Sequence, residues 1–320
     1  MSAVLGLDSG GTKTVLALAD RDGQVTLLRH GPGLDPSTGN DWAGDLKILL
    51  ASDGKGLDAA VLGLPFHDEV ERYSREQSAT AQALIPGKTL VQNDVRIAFD
   101  GALAGWAGVL ALAGTGSMAW ASLNGPDDPH IRVGGWGDAF GDEGSAYWIG
   151  REALAIVSRH LDGRLSAPEF SGGLLSAAGI KPEELIGWCY GLENRRMEFA
   201  KLAFTVSALA EAGDPAAEHL LQAAADHLAA HIAAAWAQTG EATPLAWSYA
   251  GGVLSSDLVR RYIAARIGSD PVPPCLPPIG GALLRAAALA GWATDAAWID
   301  RLSQSLRLHF ANDDLQQKGE

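Results

Sequence analysis

The sequence is poor in sulfur and in positive charge. It has 2 Cys and 3 Met in 320 residues, and 24 Lys and Arg stand against 38 Asp and Glu, a formal net charge of −14. Nucleic acids and anionic membrane surfaces are bound by clustered Lys and Arg, so this deficit argues against both as partners. Cys189 and Cys275 are far apart and form no CxxC pair, which fits a reducing, cytoplasmic setting. There is no HExxH: His227 and His231 are four residues apart, but with His219 they read as the flank of an apolar helix stripe rather than a zinc site. No apolar run reaches the roughly 18 residues that suggest a membrane span. The N-terminus runs directly into an apolar strand, so no signal peptide is expected. The GxxxxGK[ST] phosphate loop is also missing, because Gln82 stands where Gly87-Lys88-Thr89 would need the first glycine.

What the chain does have is glycine, 39 in all, and apolar residues at 47%, enough to build two cores over this length. Two stretches repeat one device. Val4–Leu7 enters Asp8-Ser9-Gly10-Gly11-Thr12 and leaves through Thr14–Ala19; Val109–Ala113 enters Gly114-Thr115-Gly116-Ser117 and leaves through an alternating run. A glycine turn lets backbone N–H groups converge on one anion, since no Cβ blocks close approach. Two such turns predict a polyphosphate clamp. The run Gly114–Ala119 also fits a GxGxx(G/A) dinucleotide pattern, but a strand follows it where that site needs a helix.

Strands are predicted at Val4–Leu7, Thr14–Ala19 and Gln24–Leu28, with Asp22-Gly23 as a hairpin turn. Helix is predicted at Asp41–Leu50, strand at Ala59–Leu64, helix at Ser74–Leu84, strand at Thr89–Gln92 and a short helix at Ile97–Ala107. After the second device, Asn124–Pro129 reads as a turn and Ile131–Val133 as the returning strand. The stretch Gly134–Gly144 holds five glycines in eleven residues. Helix follows from about Ser145 to Leu161 and dominates to Gly240, with Leu221, Ala224, Leu228, Ile232 and Trp236 in helical register. Leu245–Tyr249 reads as a strand into Ala250-Gly251-Gly252, Pro271–Pro278 as a loop, Ile279–Ala290 as a helix, and the polar tail after Ala311 as frayed. Strands first adjacent and then separated by helices indicate a mixed α/β sheet.

Taken together, these motifs resemble a known family. The segment Asp8–Thr14 is similar to the first phosphate motif of the sugar-kinase, heat-shock-protein-70 and actin superfamily. Gly114–Ser117 is similar to the second phosphate motif, and Ala250-Gly251-Gly252 to the adenosine motif. Within that superfamily, GGWGDAFGDEGSAYWIG at Gly134–Gly150 resembles the N-acetylglucosamine kinase branch, the BadF/BadG/BcrA/BcrD ATPase family. The resemblance implies an α/β fold of two ribonuclease-H-like (actin-like ATPase) domains with ATP in the cleft between them. The expected division is 1–107, which 293–320 would complete, and 108–292 with a helical insertion.

The resemblance also implies roles. Asp8 would hold Mg²⁺ through water, Gly10, Gly11 and Thr12 would bind the β- and γ-phosphates, and Gly114, Thr115 and Gly116 would close on the phosphates from the second turn. Gly213, Gly251 and Gly252 would line the nucleoside. Asp94 matches the catalytic base that accepts the proton of the attacking sugar hydroxyl; taken alone, Asn93-Asp94 would equally suit a helix N-cap. Asn40, Ser117, Gly135, Trp136, Gly137 and Asp142 match sugar-contacting positions. A tight turn or a core aromatic would account for several of them equally well. Glu143 would orient the sugar loop or serve as an acid before the next helix.

The implied activity is ATP- and Mg²⁺-dependent phosphorylation of an amino sugar at its 6-hydroxyl, with N-acetylglucosamine or glucosamine as acceptor. One departure affects the sugar: Pro65-Phe66-His67-Asp68 replaces the Ser- and Gly-rich loop of animal N-acetylglucosamine kinases, and His67 reads as an exposed loop residue in preference to a substrate ligand. A kinase for another sugar such as N-acetylmuramate stays open, as does a homodimer. A partner-activating ATPase would need an iron–sulfur cluster held by cysteines near the glycine motifs, where this chain has none. A non-catalytic sugar sensor would not need to keep both Asp8 and Asp94.

Overall fold

The computed structural model describes residues 2–51, 53–54, 56–123, 130–240, 242 and 246–317. Compact contacts divide the chain into two units, the first made of 1–107, 123–128 and 273–320 and the second of 108–122 and 129–272.

The first unit opens as an antiparallel meander, β1 (Ala3–Ser9), β2 (Lys13–Asp20) and β3 (Val25–Pro32). The chain continues through α1 (Trp42–Leu50), β4 (Ala59–Leu64), α2 (Glu71–Leu84), β5 (Thr89–Asn93) and α3 (Asp94–Ala102). Among the described residues the sheet order is β3-β2-β1-β4-β5, with β1, β4 and β5 mutually parallel. Every residue of β4 is buried, as a central strand covered on both faces must be, and its sequence AAVLGL is correspondingly apolar throughout.

The second unit repeats the device with β6 (Gly108–Ala113), β7 (Ser117–Ser122) and β8 (Ile131–Gly134). Its helices are α4 (Ala146–Leu161), α5 (Pro168–Ala178), α6 (Leu185–Gly191), α7 (Arg195–Glu211) and α8 (Pro215–Thr239). They are followed by β9 (Trp247–Ala250) and α9 (Asp257–Ile267). The order β8-β7-β6-β9 reproduces β3-β2-β1-β4, including the parallel pairing of the last two strands. In α8 the stripe Leu221, Ala224, Leu228 and Ile232 is buried, as its spacing predicted, while Trp236 is half-buried.

The chain then returns to the first unit through α10 (Pro278–Leu289) and α11 (Ala296–Gln317). This moves the expected boundary, because 273–292 packs in the first unit and not the second. The cause is α10, whose apolar face lies against β1, β4 and α3. A Cβ on Gly281 would collide with the Ile97 carbonyl and sit 2.5 Å from the Gly101 amide, so only glycine permits this helix–helix approach.

Other expectations shift at their ends. The α3 helix begins at Asp94 rather than Ile97 because Asn93 caps it, and it stops at Ala102, before Ala104 and Gly105 take positive φ. The α2 helix starts three residues early, β3 runs on to Pro32, and α11 continues to Gln317 past the point where fraying was expected. The predicted Asn124–Pro129 turn lies outside the described residues, as does Leu245 of the predicted Leu245–Tyr249 strand.

Gly281→Ala is expected to destabilise the protein by about 1–3 kcal/mol through overpacking, measured by urea denaturation. Gly172→Ala in α5, where a Cβ meets nothing within 4 Å, should instead be neutral or stabilising.

Candidate active site

In parallel sheets, ligand sites form beyond the carboxyl ends of the strands. Asp8 pairs with Gly63 near that end of β1 and β4, and Asp94 directly follows Asn93, which pairs with Leu64 at the end of β5. Both carboxylates therefore belong to one edge of one sheet.

The cap reading of Asn93-Asp94 separates cleanly. Asn93 Oδ1 accepts the Val95 amide at 2.9 Å, while its Nδ2 donates to the His67 carbonyl at 2.8 Å and to Glu69 Oε1 at 3.0 Å. Asn93 is the cap, and Asp94 is the first helical residue, with Oδ1 also accepting the Val95 amide. Burial raises the Asp94 carboxyl to about 6, with the charges of Glu69 and Asp35 adding to the rise against its own backbone hydrogen bonds. Burial, reinforced by the charge of Asp94, raises Asp8 to about 7, partly offset by Lys13.

The first glycine turn is closed by the Gly10 amide on the Lys13 carbonyl at 3.1 Å, leaving Gly11 and Thr12 exposed. Thr14 Oγ1 donates to the Pro32 carbonyl at 2.6 Å, so Ser9 Oγ donates to Thr14 (2.7 Å) and in turn accepts the Leu34 amide (2.9 Å). A Cβ on Gly33 would lie 2.5 Å from the Gly11 carbonyl carbon, which shows how closely the 31–40 loop packs against the turn. Farther along that loop, Asn40 is exposed, and its carbonyl accepts the Trp42 amide at the entry to α1.

The Pro65–Asp68 loop is strained, with Phe66 at φ 62° and Asp68 at φ 61°. His67 is not the exposed residue expected. It is 5% exposed, with Nδ1 hydrogen-bonded to Gln77 Oε1 at 2.9 Å, while Gln77 Nε2 donates to the Pro65 carbonyl. These bonds hold the strained loop in place.

In the second unit the Gly114–Ser117 turn joins β6 to β7. The Gly114 amide donates to the Gly116 carbonyl at 2.9 Å, and the Gly114 carbonyl accepts the first amide of α4 at 2.8 Å. Ser117 and Asp142, expected at the sugar, are both 2% exposed, and their polar atoms are engaged in bracing this turn. Ser117 Oγ donates to the Glu143 carbonyl at 2.7 Å and its amide to Asp142 Oδ1 at 3.4 Å. Arg196 Nη2 donates to Asp142 Oδ2 at 2.7 Å, and a Cβ on Gly116 would meet both of those side chains. Arg196 lies 54 residues beyond Asp142 at the start of α7, so no local motif pointed to it.

Glu143 precedes the Ser145 cap of α4, outside the helix, and its carboxylate lies 3.8 Å from His231 Nε2. Burial lowers the His231 imidazole. His227 meets Trp148 edge-on at 5.0 Å, and His219 is exposed. Among the described residues, no three His, Cys, Asp or Glu side chains form a metal cage.

Gly135 and Gly137 take positive φ of 71° and 87°, flanking Trp136. At 70% exposed, Trp136 is not a core aromatic; the Arg132 guanidinium lies 5.9 Å from its ring centre. A cavity of about 250 Å³ in the same unit is lined by Gly114 and Thr115 on one side, Gly252 and Val253 on another, and α4 and α7 between them. Gly251, at φ 96°, packs on the Ala113 carbonyl beside it. Gly213 sits in the exposed α7–α8 connection at φ 86°, outside the lining of this cavity.

The BadF/BadG/BcrA/BcrD ATPase family matches residues 5–286. The N-acetylmuramic acid/N-acetylglucosamine kinase of Clostridium acetobutylicum is 29% identical over 71% of this chain and 77% of its own length. The N-acetyl-D-glucosamine kinase of Dictyostelium discoideum is 27% identical over 88% of this chain and 96% of its own. A solved structure from Chromobacterium violaceum, titled as a candidate N-acetylglucosamine kinase, superposes with a TM-score of 0.71. It is 27% identical and covers 90% of this chain and 98% of that one. The fold is the expected α/β actin-like ATPase fold, no described helix is long and apolar enough to cross a membrane, and the chain belongs to the BadF/BadG/BcrA/BcrD ATPase family.

Proposed function

We propose that the protein is an ATP-dependent sugar kinase that transfers the γ-phosphate to the 6-hydroxyl of an amino sugar, N-acetylglucosamine or glucosamine. The observation that carries this reading is the pair of desolvated carboxylates, Asp8 and Asp94, at the carboxyl edge of one sheet. Two relatives named as amino-sugar kinases support it.

Phosphoryl transfer needs little covalent help from protein; it needs positioning, charge neutralisation and a proton acceptor. Asp94 supplies the acceptor. With its cap duty taken by Asn93 and its carboxyl raised to about 6, it is ionised at neutral pH yet more basic than an ordinary aspartate, which favours proton transfer from a hydroxyl. Asp8 suits Mg²⁺, which keeps most of its waters and takes one or two carboxylates besides the nucleotide phosphates. Asp8 offers such an ion one carboxylate at the carboxyl end of β1. Bound there, Mg²⁺ would neutralise charge on the β- and γ-phosphates. Gly11 and Thr12 in the first unit, and Thr115 and Gly116 in the second, are the phosphate-binding donors of their turns, which Gly10 and Gly114 close with their own amides. Gly251 and Gly252 serve the nucleoside.

The exposed Trp136 ring, held between two glycines, is the sugar platform, with Gly135 and Gly137 beside it. Ser117 and Asp142 act on the sugar through the turn they brace. Asn40 stands at the rim, and Gly213 supports the helices that carry the nucleoside. An iron–sulfur activator would need its cysteines together; Cys189 and Cys275 belong to different units.

Asp94→Asn tests this reading twice. It keeps the bond to the Val95 amide and removes the basicity, so kcat should fall about 10²–10⁴-fold with MgATP binding retained; near-wild-type turnover would refute the assignment. The second readout is stability without nucleotide. The folded carboxyl titrates near 6 against about 3.9 unfolded, so the native state holds the extra proton between those values. Wild-type stability therefore falls as pH rises through that window. The variant lacks this loss and should be more stable by about 1–3 kcal/mol above pH 6, with the difference vanishing near pH 4. Melting temperatures of both proteins across this range check it.

A further inference from the structure

We infer that the nucleoside cavity of the second unit reads its base by stacking and by volume, so that guanine and hypoxanthine nucleoside triphosphates serve as phosphoryl donors beside ATP. The inference rests on the kinase reading above and concerns its donor site.

The cavity wall offers few groups that could tell one purine from another. Much of its lining is aliphatic, from Ala146 and Ile149 of α4, Ala200 and Ala203 of α7, and Val253. Three lining side chains carry hydroxyl or charged groups: Thr115, Lys201 and Ser207. Thr115 belongs to the phosphate turn. The Lys201 ammonium gives one of its three donors to Glu198 at 2.6 Å, and the N7 acceptor that the others could meet is common to adenine, guanine and hypoxanthine. The Ser207 hydroxyl rotates and can both donate and accept. It therefore satisfies the N1 acceptor or N6 donor edge of adenine as well as the O6 acceptor or N1–H donor edge of guanine.

Several backbone acceptors of the lining are also engaged. Both polar groups of Gly114 are used within its turn and with α4. The Gly252 carbonyl accepts the Ser255 amide at 3.3 Å and the Ser255 hydroxyl at 2.7 Å, and the Val253 carbonyl accepts the Ser256 amide at 3.3 Å.

The cavity does offer a ring. Phe204, on the wall formed by α7, is 74% exposed and keeps a π-face uncovered. Ala200 and Ala203, one turn away and next to it, leave room for a flat base against that ring. Every base has a π-face, so stacking tolerates base identity. An apolar site rejects an analogue only weakly, whereas a site built on specific hydrogen bonds rejects it by several orders of magnitude. The transfer itself is unchanged with GTP. The sugar oxygen forms the new bond to the γ-phosphorus, the bond from that phosphorus to the β-phosphate bridging oxygen breaks, GDP leaves, and the hydroxyl proton goes to Asp94.

Calorimetry on the full chain with MgATP, MgGTP and MgITP tests the inference. The three dissociation constants should agree within about tenfold, as expected of a site that stacks rather than reads. Phe204→Ala should weaken all three together by about ten- to a hundredfold, the usual loss for a stacking platform, and Phe204→Trp should retain them. MgGTP binding more than about a hundredfold weaker than MgATP, or Phe204→Ala weakening MgATP alone, would overturn it. Sugar phosphorylation with each nucleotide keeps the two readings apart. ATP turnover without GTP binding defeats this inference and leaves the kinase standing. Equal binding of both nucleotides with no sugar phosphate defeats the kinase and leaves the cavity's tolerance of the base standing. Binding of neither nucleotide defeats both.

Discussion

Holding two half-buried carboxylates together at the end of one sheet is the constraint on which the first unit is built. A charged aspartate in such a place opposes folding, and both Asp8 and Asp94 respond by titrating well above their ordinary range. The surrounding structure is arranged to hold them there. Parallel pairing of β1, β4 and β5 fixes their spacing, Asn93 takes over the capping that Asp94 would otherwise provide, and the glycine contact between α10 and α3 locks the helix that Asp94 begins. A divalent cation and a sugar hydroxyl proton would each relieve part of the cost, which ties the strain to the proposed chemistry.

The second unit solves a different problem, holding a bare backbone turn in one shape. Its Gly114–Ser117 turn has little side chain of its own and is gripped from outside by the first amide of α4, the Glu143 carbonyl, and the Asp142 carboxylate with Arg196 behind it. Arg196 opens α7, the helix that also carries Met197, Lys201 and Phe204 along the nucleoside cavity. The 134–144 loop, the Gly114–Ser117 turn and the α7 wall of the cavity thus meet at one ionic contact.

The glycine turns, the strand order of the meander and the position of Asp94 were legible in the sequence because each is a local pattern: a turn chemistry, an alternation, or a motif a few residues long. Three things were not. That α10 completes the first unit could not be seen, because a helix sequence does not say which sheet its apolar face will meet. The bracing role of Asp142 needed Arg196, which no spacing rule connects to it. His67 looked like an exposed loop residue because Pro65–Asp68 has loop composition, whereas Gln77 of α2 draws it inside. The raised carboxyls, likewise, come from burial that only the folded chain creates.

The central claim is that this chain couples nucleotide cleavage to a sugar. The most direct test incubates the protein with MgATP and, separately, glucosamine, N-acetylglucosamine, N-acetylmuramate, N-acetylgalactosamine and glucose, measuring ADP and sugar phosphate together. The account predicts that ADP and sugar 6-phosphate appear one for one with N-acetylglucosamine or glucosamine, and that ADP release is slow when sugar is left out. ADP release at the same rate with every sugar and with none, without sugar phosphate, would contradict it.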